Sequence, residues 1–280
     1  MNKLLKLVLM FFISANFYSQ NSVRVYYQVE SKPNIKQDSA DVDVYVLDIN
    51  TQKGNSKFYN YTYLKSDSVY ISLKKESDMK GGVNFDSRNL KYPNFNIGVV
   101  KENSNYEMIQ ILDGEAFQYP DGKDAKWDIS SHKMKIENYD CQEAKATIGG
   151  RKWTVYFATD LPFSYGPYKL GGLPGLIISA KDETNSYVFK MVGLEKISDE
   201  NSFTPGIFSR TIKTSKERYY KAFKNYTIDP AKKLRENIIT YPDGNYMKLA
   251  QPLPPDYIKK REEKMLKYLK ENDNYIEIIK

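Results

Sequence analysis

Between residues 161 and 178 the chain restricts its backbone more heavily than anywhere else. Gly166, Pro167, Gly171, Gly172, Pro174 and Gly175 stand within ten residues. Each proline fixes its own φ and disfavours helix at the residue before it, so Gly166 and Leu173 are pushed to extended backbone. Leu173, Pro174, Gly175 and Leu176 have the chemistry of a type II turn, with Gly175 at the position that needs φ > 0. Leu176, Ile177 and Ile178 follow as an apolar run suited to a strand buried on both faces. A rigid loop thus delivers the chain into a β core.

The flanks extend that reading. Val23, Val25, Tyr27 and Val29 alternate with polar residues, which predicts a strand with one buried face. Val42, Val44 and Val46 alternate in the same way. The run from residue 58 to 64 predicts a strand with Tyr59, Tyr61 and Tyr63 on one face, either as an aromatic ladder or as a stacking platform for a ligand. Further strands are expected around residues 69–73, 96–100, 106–112, 127–129 and 134–136. Residues 74–95 read as a long connection. Asp113-Gly114 predicts a hairpin turn. Tyr119-Pro-Asp-Gly122 and Tyr241-Pro-Asp-Gly244 read as two independent turns. Ala144, Ala146 and Ile148 on one segment and Trp153, Val155 and Phe157 on the next predict a hairpin closed by Gly149-Gly150. After residue 198 the period changes. Ser215 is positioned to cap a helix over 215–225, and a second helix is expected over 256–272 with Ile258, Met265, Leu266 and Leu269 as its stripe.

Taken together, the expectation is a mainly β protein. A curved antiparallel sheet or half-open barrel carries a few flanking helices, by analogy with lipoprotein carriers. Residues 1–19 read as a signal peptide: Lys3 and Lys6, an apolar run over 4–13, then small and polar residues with a cut near Ser19. An uncleaved anchor is the alternative. No later stretch reaches the roughly 20 apolar residues of a membrane-spanning helix. Residues 20–280 then form a single β-rich domain with a helical C-terminal segment, exported to the periplasm or cell surface.

Several chemistries are excluded or unsupported. The formal charge of +7 is mild and dispersed, so a nucleic-acid face is not expected. His132 is the only histidine and Cys141 the only cysteine, too few for a zinc site or an internal disulfide. His132 reads as a turn residue and Cys141 as a small buried one. No Gly-x-Ser-x-Gly elbow is present. The glycines at 171–175 lack the Lys-Ser/Thr and following helix of a phosphate loop. No catalytic residue, cofactor or metal is therefore assigned. Asp124 and Asp128 stand only as loose candidates for a two-carboxylate hydrolase.

Gly172 to Ile177, reading Gly-Leu-Pro-Gly-Leu-Ile, resembles the signature of the GLPGLI family of secreted Bacteroidota proteins. Tyr139-Asp-Cys141, Ala144, Gly150-Arg151, Trp153, Tyr156, Asp160-Leu-Pro162 and Gly166-Pro-Tyr168 extend the resemblance over residues 127–197. It implies export and a strand-rich fold, and it transfers no catalytic residue. Three function classes follow. The first is a binding or carrier protein for an amphiphile or peptide at the outer membrane, with Tyr59, Tyr61, Tyr63, Trp153 and Phe157 as candidate ligand contacts. The second is an assembly partner of an outer-membrane transport complex, recognised through residues 161–175, including Gly166, Pro167, Tyr168, Gly171, Gly172, Leu173, Pro174 and Gly175. The third is a hydrolase with unmarked carboxylates.

Overall fold

Strand β1 (Ser22–Ser31) lies at the middle of the molecule, hydrogen-bonded on both sides. The computed structural model describes residues 22–65, 96–197, 211–240 and 246–278. On one side of β1 runs an antiparallel meander of β2 (Asp41–Asn50), β3 (Asn55–Asn60), β4 (Ile97–Glu102), β5 (Asn105–Leu112) and β6 (Glu115–Lys123). On the other side lie β11 (Tyr187–Ile197), β10 (Leu176–Asp182), β9 (Arg151–Ala158), β8 (Tyr139–Ile148) and β7 (Asp128–Ile136). A short β12 (Thr211–Lys213) pairs in parallel with β6 and completes a curved, unclosed 12-stranded sheet. Helices α1 (Lys216–Ile228), α2 (Lys232–Arg235) and α3 (Pro255–Glu271) follow, with a small ribbon of β13 (Ile238–Thr240) and β14 (Tyr246–Lys248) between α2 and α3. The mainly β, half-open architecture read from the sequence is the one observed.

The inner face of the sheet is the core. β1 contributes Val23, Val25, Tyr27 and Val29, all buried. The predicted 144–157 hairpin forms with Ala144 opposite Val155 and Ala146 opposite Trp153. Gly149 and Gly150, with φ of 62° and 80°, make its two-residue turn, a left-handed conformation that favours glycine, asparagine and aspartate. Asp113 and Gly114, at 50° and 80°, make the equivalent turn between β5 and β6. Ser215 caps α1 by accepting a hydrogen bond from the Arg218 amide.

Several expectations are corrected. In β2 the register sets Tyr27 opposite Tyr45 and Val25 opposite Leu47. The core face of β2 is therefore Tyr45, Leu47 and Ile49, while Val42 and Val44 are exposed. Strand β3 ends at Asn60 and residues 61–65 are helical, so Tyr59, Tyr61 and Tyr63 do not share a strand face. The Asn60 side chain accepts from the Thr62 amide, the kind of local bond that offers the backbone an alternative to a strand. Tyr119 to Gly122 is part of β6 rather than a turn. It coincides with a shift in the β5–β6 register, and Gly122 at φ 89° takes up the irregularity. His132 lies exposed within β7, where the pairing with β8 is interrupted, and not in a turn. The 1–19 segment, the strand at 69–73, the connection at 74–95 and the turn at 241–244 lie outside the described residues.

Candidate ligand cavity

The stretch at 159–175 folds back on itself. The Leu170 amide donates to Pro167, the Gly172 amide to Ser164 and the Leu176 amide to Leu161. Residues 166–171 are buried, and the loop reaches the β4–β6 limb of the sheet. There the Trp127 indole donates to the Gly171 carbonyl at 2.8 Å. The Lys101 ammonium binds the Ser164 carbonyl at 3.2 Å and Asp124 at 2.8 Å. Asp124 also accepts from the Tyr106 hydroxyl, whose pKa is raised by burial and by that carboxylate.

The turn at its end is not type II. The Gly175 amide donates to the Leu173 carbonyl at 2.8 Å, a three-residue turn about Pro174. Gly175 does not have positive φ; Gly172 does, at 88°. A Cβ on Gly175 would lie 2.7 Å from the Ala158 carbonyl carbon and closer still to its oxygen, so space, not conformation, demands the glycine.

Next to this loop the last segment of the described chain is also drawn inside. Arg151 holds it, donating to the carbonyls of Tyr275 and Ile276 and to the Asn274 side chain, while pairing with the buried Asp182 at 2.8 Å. The Tyr187 hydroxyl donates to the Asn274 carbonyl at 2.5 Å, and the Ile278 amide to Gly149. Glu277 ends in a buried cluster. Its carboxylate accepts from the Tyr168 hydroxyl and meets the Lys169 ammonium at 2.7 Å and the Lys216 ammonium at 3.4 Å. Asp121 completes the cluster, 2.5 Å from Lys169 and also paired with Lys216. Burial, then the Glu277 charge, pushes the Tyr168 phenol well up. Burial opposes the Lys216 charge, but Asp121 and Glu277 outweigh it and raise its pKa. Tyr168 sits at φ 55°, a region that costs a bulky residue about 1–3 kcal/mol.

Between this segment, α1, the end of α3 and the inner face of the sheet lies a cavity of about 260 Å³. Tyr187, Tyr219, Tyr220, Phe223, Tyr226, Tyr268 and Tyr275 line it, with Leu112, Leu269 and Ile276 between them. Tyr219 stacks on Tyr119 at 5.0 Å and donates to Gln110 at 2.6 Å. Phe223 meets Tyr275 edge-on at 5.2 Å. Burial raises the pKa of every tyrosine in this wall, Tyr226 to about 12, so the phenols are neutral donors at neutral pH. Glu277 borders the same cavity, and it alone of the cluster's side chains lines it, with Lys169, Lys216, Tyr168 and Asp121 behind it.

The residues singled out in the sequence lie mostly elsewhere. Trp153 and Phe157 are fully buried, and the Trp153 indole donates to Ile148. Tyr59 is buried on the other face of the sheet, its hydroxyl on Asp48 beside Arg24. Tyr61 packs edge-on against Tyr26 at 5.7 Å. Tyr63 alone reaches the cavity wall, through Asn96. The signal that was available was the aromatic density of α1, where Tyr219, Tyr220, Phe223 and Tyr226 fall within eight residues. Asp128 is exposed on β7 and Asp124 is held by Lys101 and Tyr106, so these two do not form an acid–base pair. Among the described residues no group of acidic, cysteine or histidine side chains could hold a metal ion, and no helix is long and apolar enough to cross a membrane.

No protein-family model matches the chain, and no curated protein matches it. Two solved structures of PNGF-II, in P21 and C2 space groups, align over 72% of this chain with TM-scores of 0.48 and 0.47 and identities of 14% and 16%. The chain spans about a third of their length, 33% and 32%. An uncharacterized conserved protein from Thermus thermophilus aligns over 75% of this chain and 99% of its own, with TM-score 0.35 and 6% identity. Likenesses of this size carry no function across.

Proposed function

We propose that this chain is an exported envelope protein of the GLPGLI type that binds an amphiphile or an extended peptide, without covalent chemistry. The tyrosine-lined cavity beneath α1 carries the reading. Its wall combines broad apolar ring faces with hydroxyl donors, the combination that suits a ligand with an apolar body and a polar end. The buried carboxylates near it, Asp121 and Glu277, are each neutralised by lysines rather than left as an acid and a base. The assembly-partner alternative has Pro162, Ser164, Gly172 and Pro174 to present, since residues 166–171 are buried.

The test is titration of the protein with a fluorescent fatty acid and with an amphipathic peptide, beside Leu269→Trp. That substitution places a larger ring at the cavity wall on the partly exposed α3, where it need not disturb the sheet. Uptake of either ligand by the unaltered protein, weakened about tenfold or more in the variant, is expected; this corresponds to about 1.4 kcal/mol. If neither ligand is taken up, and protein from its own envelope is empty by native mass spectrometry, the reading fails.

A further inference from the structure

Glu277 lies outside the strands of the sheet, yet its carboxylate is buried among three polar side chains. Lys169, Lys216 and the Tyr168 hydroxyl all converge on it, and Lys169 and the carboxylate are nearly inaccessible. With Glu277 in place, two lysines face two carboxylates and the charges cancel. Without it, two ammonium groups face Asp121 alone, behind the point where Glu277 meets a cavity walled by aromatic rings. A buried charge left unpaired is strongly disfavoured. Such a site takes up another carboxylate in preference to a neutral group, because charge-assisted hydrogen bonds to it are the strong ones.

Building on the carrier reading, we propose that the Lys169–Lys216–Tyr168 cluster is the headgroup site for a carboxylate amphiphile, and that Glu277 is its built-in competitor. The amphiphile's chain lies along the tyrosine wall and its carboxylate replaces that of Glu277. The segment that carries Glu277 is suited to leaving. It follows α3, none of whose residues is buried, and no strand ladder holds it: polar contacts from Arg151, Tyr187 and Gly149 and the buried Ile276 side chain do. While it is docked, only a fraction of molecules is competent to bind. The apparent affinity is reduced by that fraction.

The experiment compares dodecanoate with dodecanol by isothermal titration calorimetry, on full-length mature protein and on Glu277→Gln. Loss of the competing carboxylate should tighten dodecanoate binding by about tenfold, within the usual 5–150-fold span of coupling between sites, and change dodecanol by less than about threefold. Adding Lys216→Met to Glu277→Gln should abolish that gain. Asn274→Ala loosens the segment while leaving both lysines. It should move dodecanoate in the same direction by less, and it keeps the test alive if Glu277→Gln does not fold. If the two ligands shift alike, or dodecanoate does not tighten in either single variant, the headgroup site is overturned while the carrier reading stands. If no form binds either ligand or the peptide, both fall.

Discussion

Gly175 shows how a residue's identity can be right for a reason the sequence does not display. Pro-Gly is the chemistry of a type II turn, and also of the tighter turn found here. What separates them is the Ala158 carbonyl, which stands where a Cβ would have to go, and that contact is visible only in three dimensions. Gly175→Val therefore forces β9 and the loop apart. A loss of about 3 kcal/mol is expected, at the upper end of overpacking costs. Pro174→Ala should lose about 0.4–1 kcal/mol, through greater freedom of the unfolded chain. Thermal melts of both decide it, and a Gly175→Val protein that melts with the unaltered one would remove the argument. The tyrosine stripe at 59–63 misled for a related reason. Alternation was real in the sequence, but the chain turns helical after Asn60, and the period of the pattern changes with it.

At the scale of elements, strands with one apolar face were legible, as β1, β8 and β9 show, because alternation alone fixes which side is buried. In β2 both faces carry apolar residues, so only the register against β1 chooses Tyr45, Leu47 and Ile49. The cavity was not legible. It needs α1, the end of α3, the 274–277 segment and two limbs of the sheet, which are far apart in sequence. Arg151 was noted only as part of a motif, yet it is the clasp that fastens the terminal segment. Arg151→Met leaves Asp182, whose side chain is fully buried, without its cation. Breaking a buried pair in this way costs about 3–5 kcal/mol. Hydrogen exchange should report the site of the loss: the Asn274 and Ile278 amides, bonded to Pro33 and Gly149, should exchange faster than those of β1. Equal acceleration throughout would mean that Arg151 supports the sheet and not the segment.

For the whole molecule, the abundance of tyrosine, 24 in all, becomes a statement about alkaline stability. Tyr27, Tyr45, Tyr59, Tyr106, Tyr119, Tyr168, Tyr187 and Tyr219 are buried, and burial raises the pKa of each. A raised folded pKa leaves stability intact below the unfolded value of about 10 and removes it as pH climbs toward the folded values. Unfolding should thus set in steeply above about pH 10, with the tyrosinate absorbance of the buried phenols and loss of β circular dichroism coinciding. Buried phenols that ionise well before the sheet melts, beyond the share of exposed tyrosines such as Tyr246 and Tyr257, would contradict this. The central position of β1 has a further consequence, one of time rather than energy. Its first ladder, to β2, closes over a short loop, but its second joins Ser22 to Ile197. Until residue 197 has left the ribosome, β1 remains the bare edge of a half-built sheet. High contact order of this kind makes folding slow, since distant segments must meet before their contacts repay the search. A nascent chain of this protein should accordingly carry that edge of β1 unpaired for most of its synthesis.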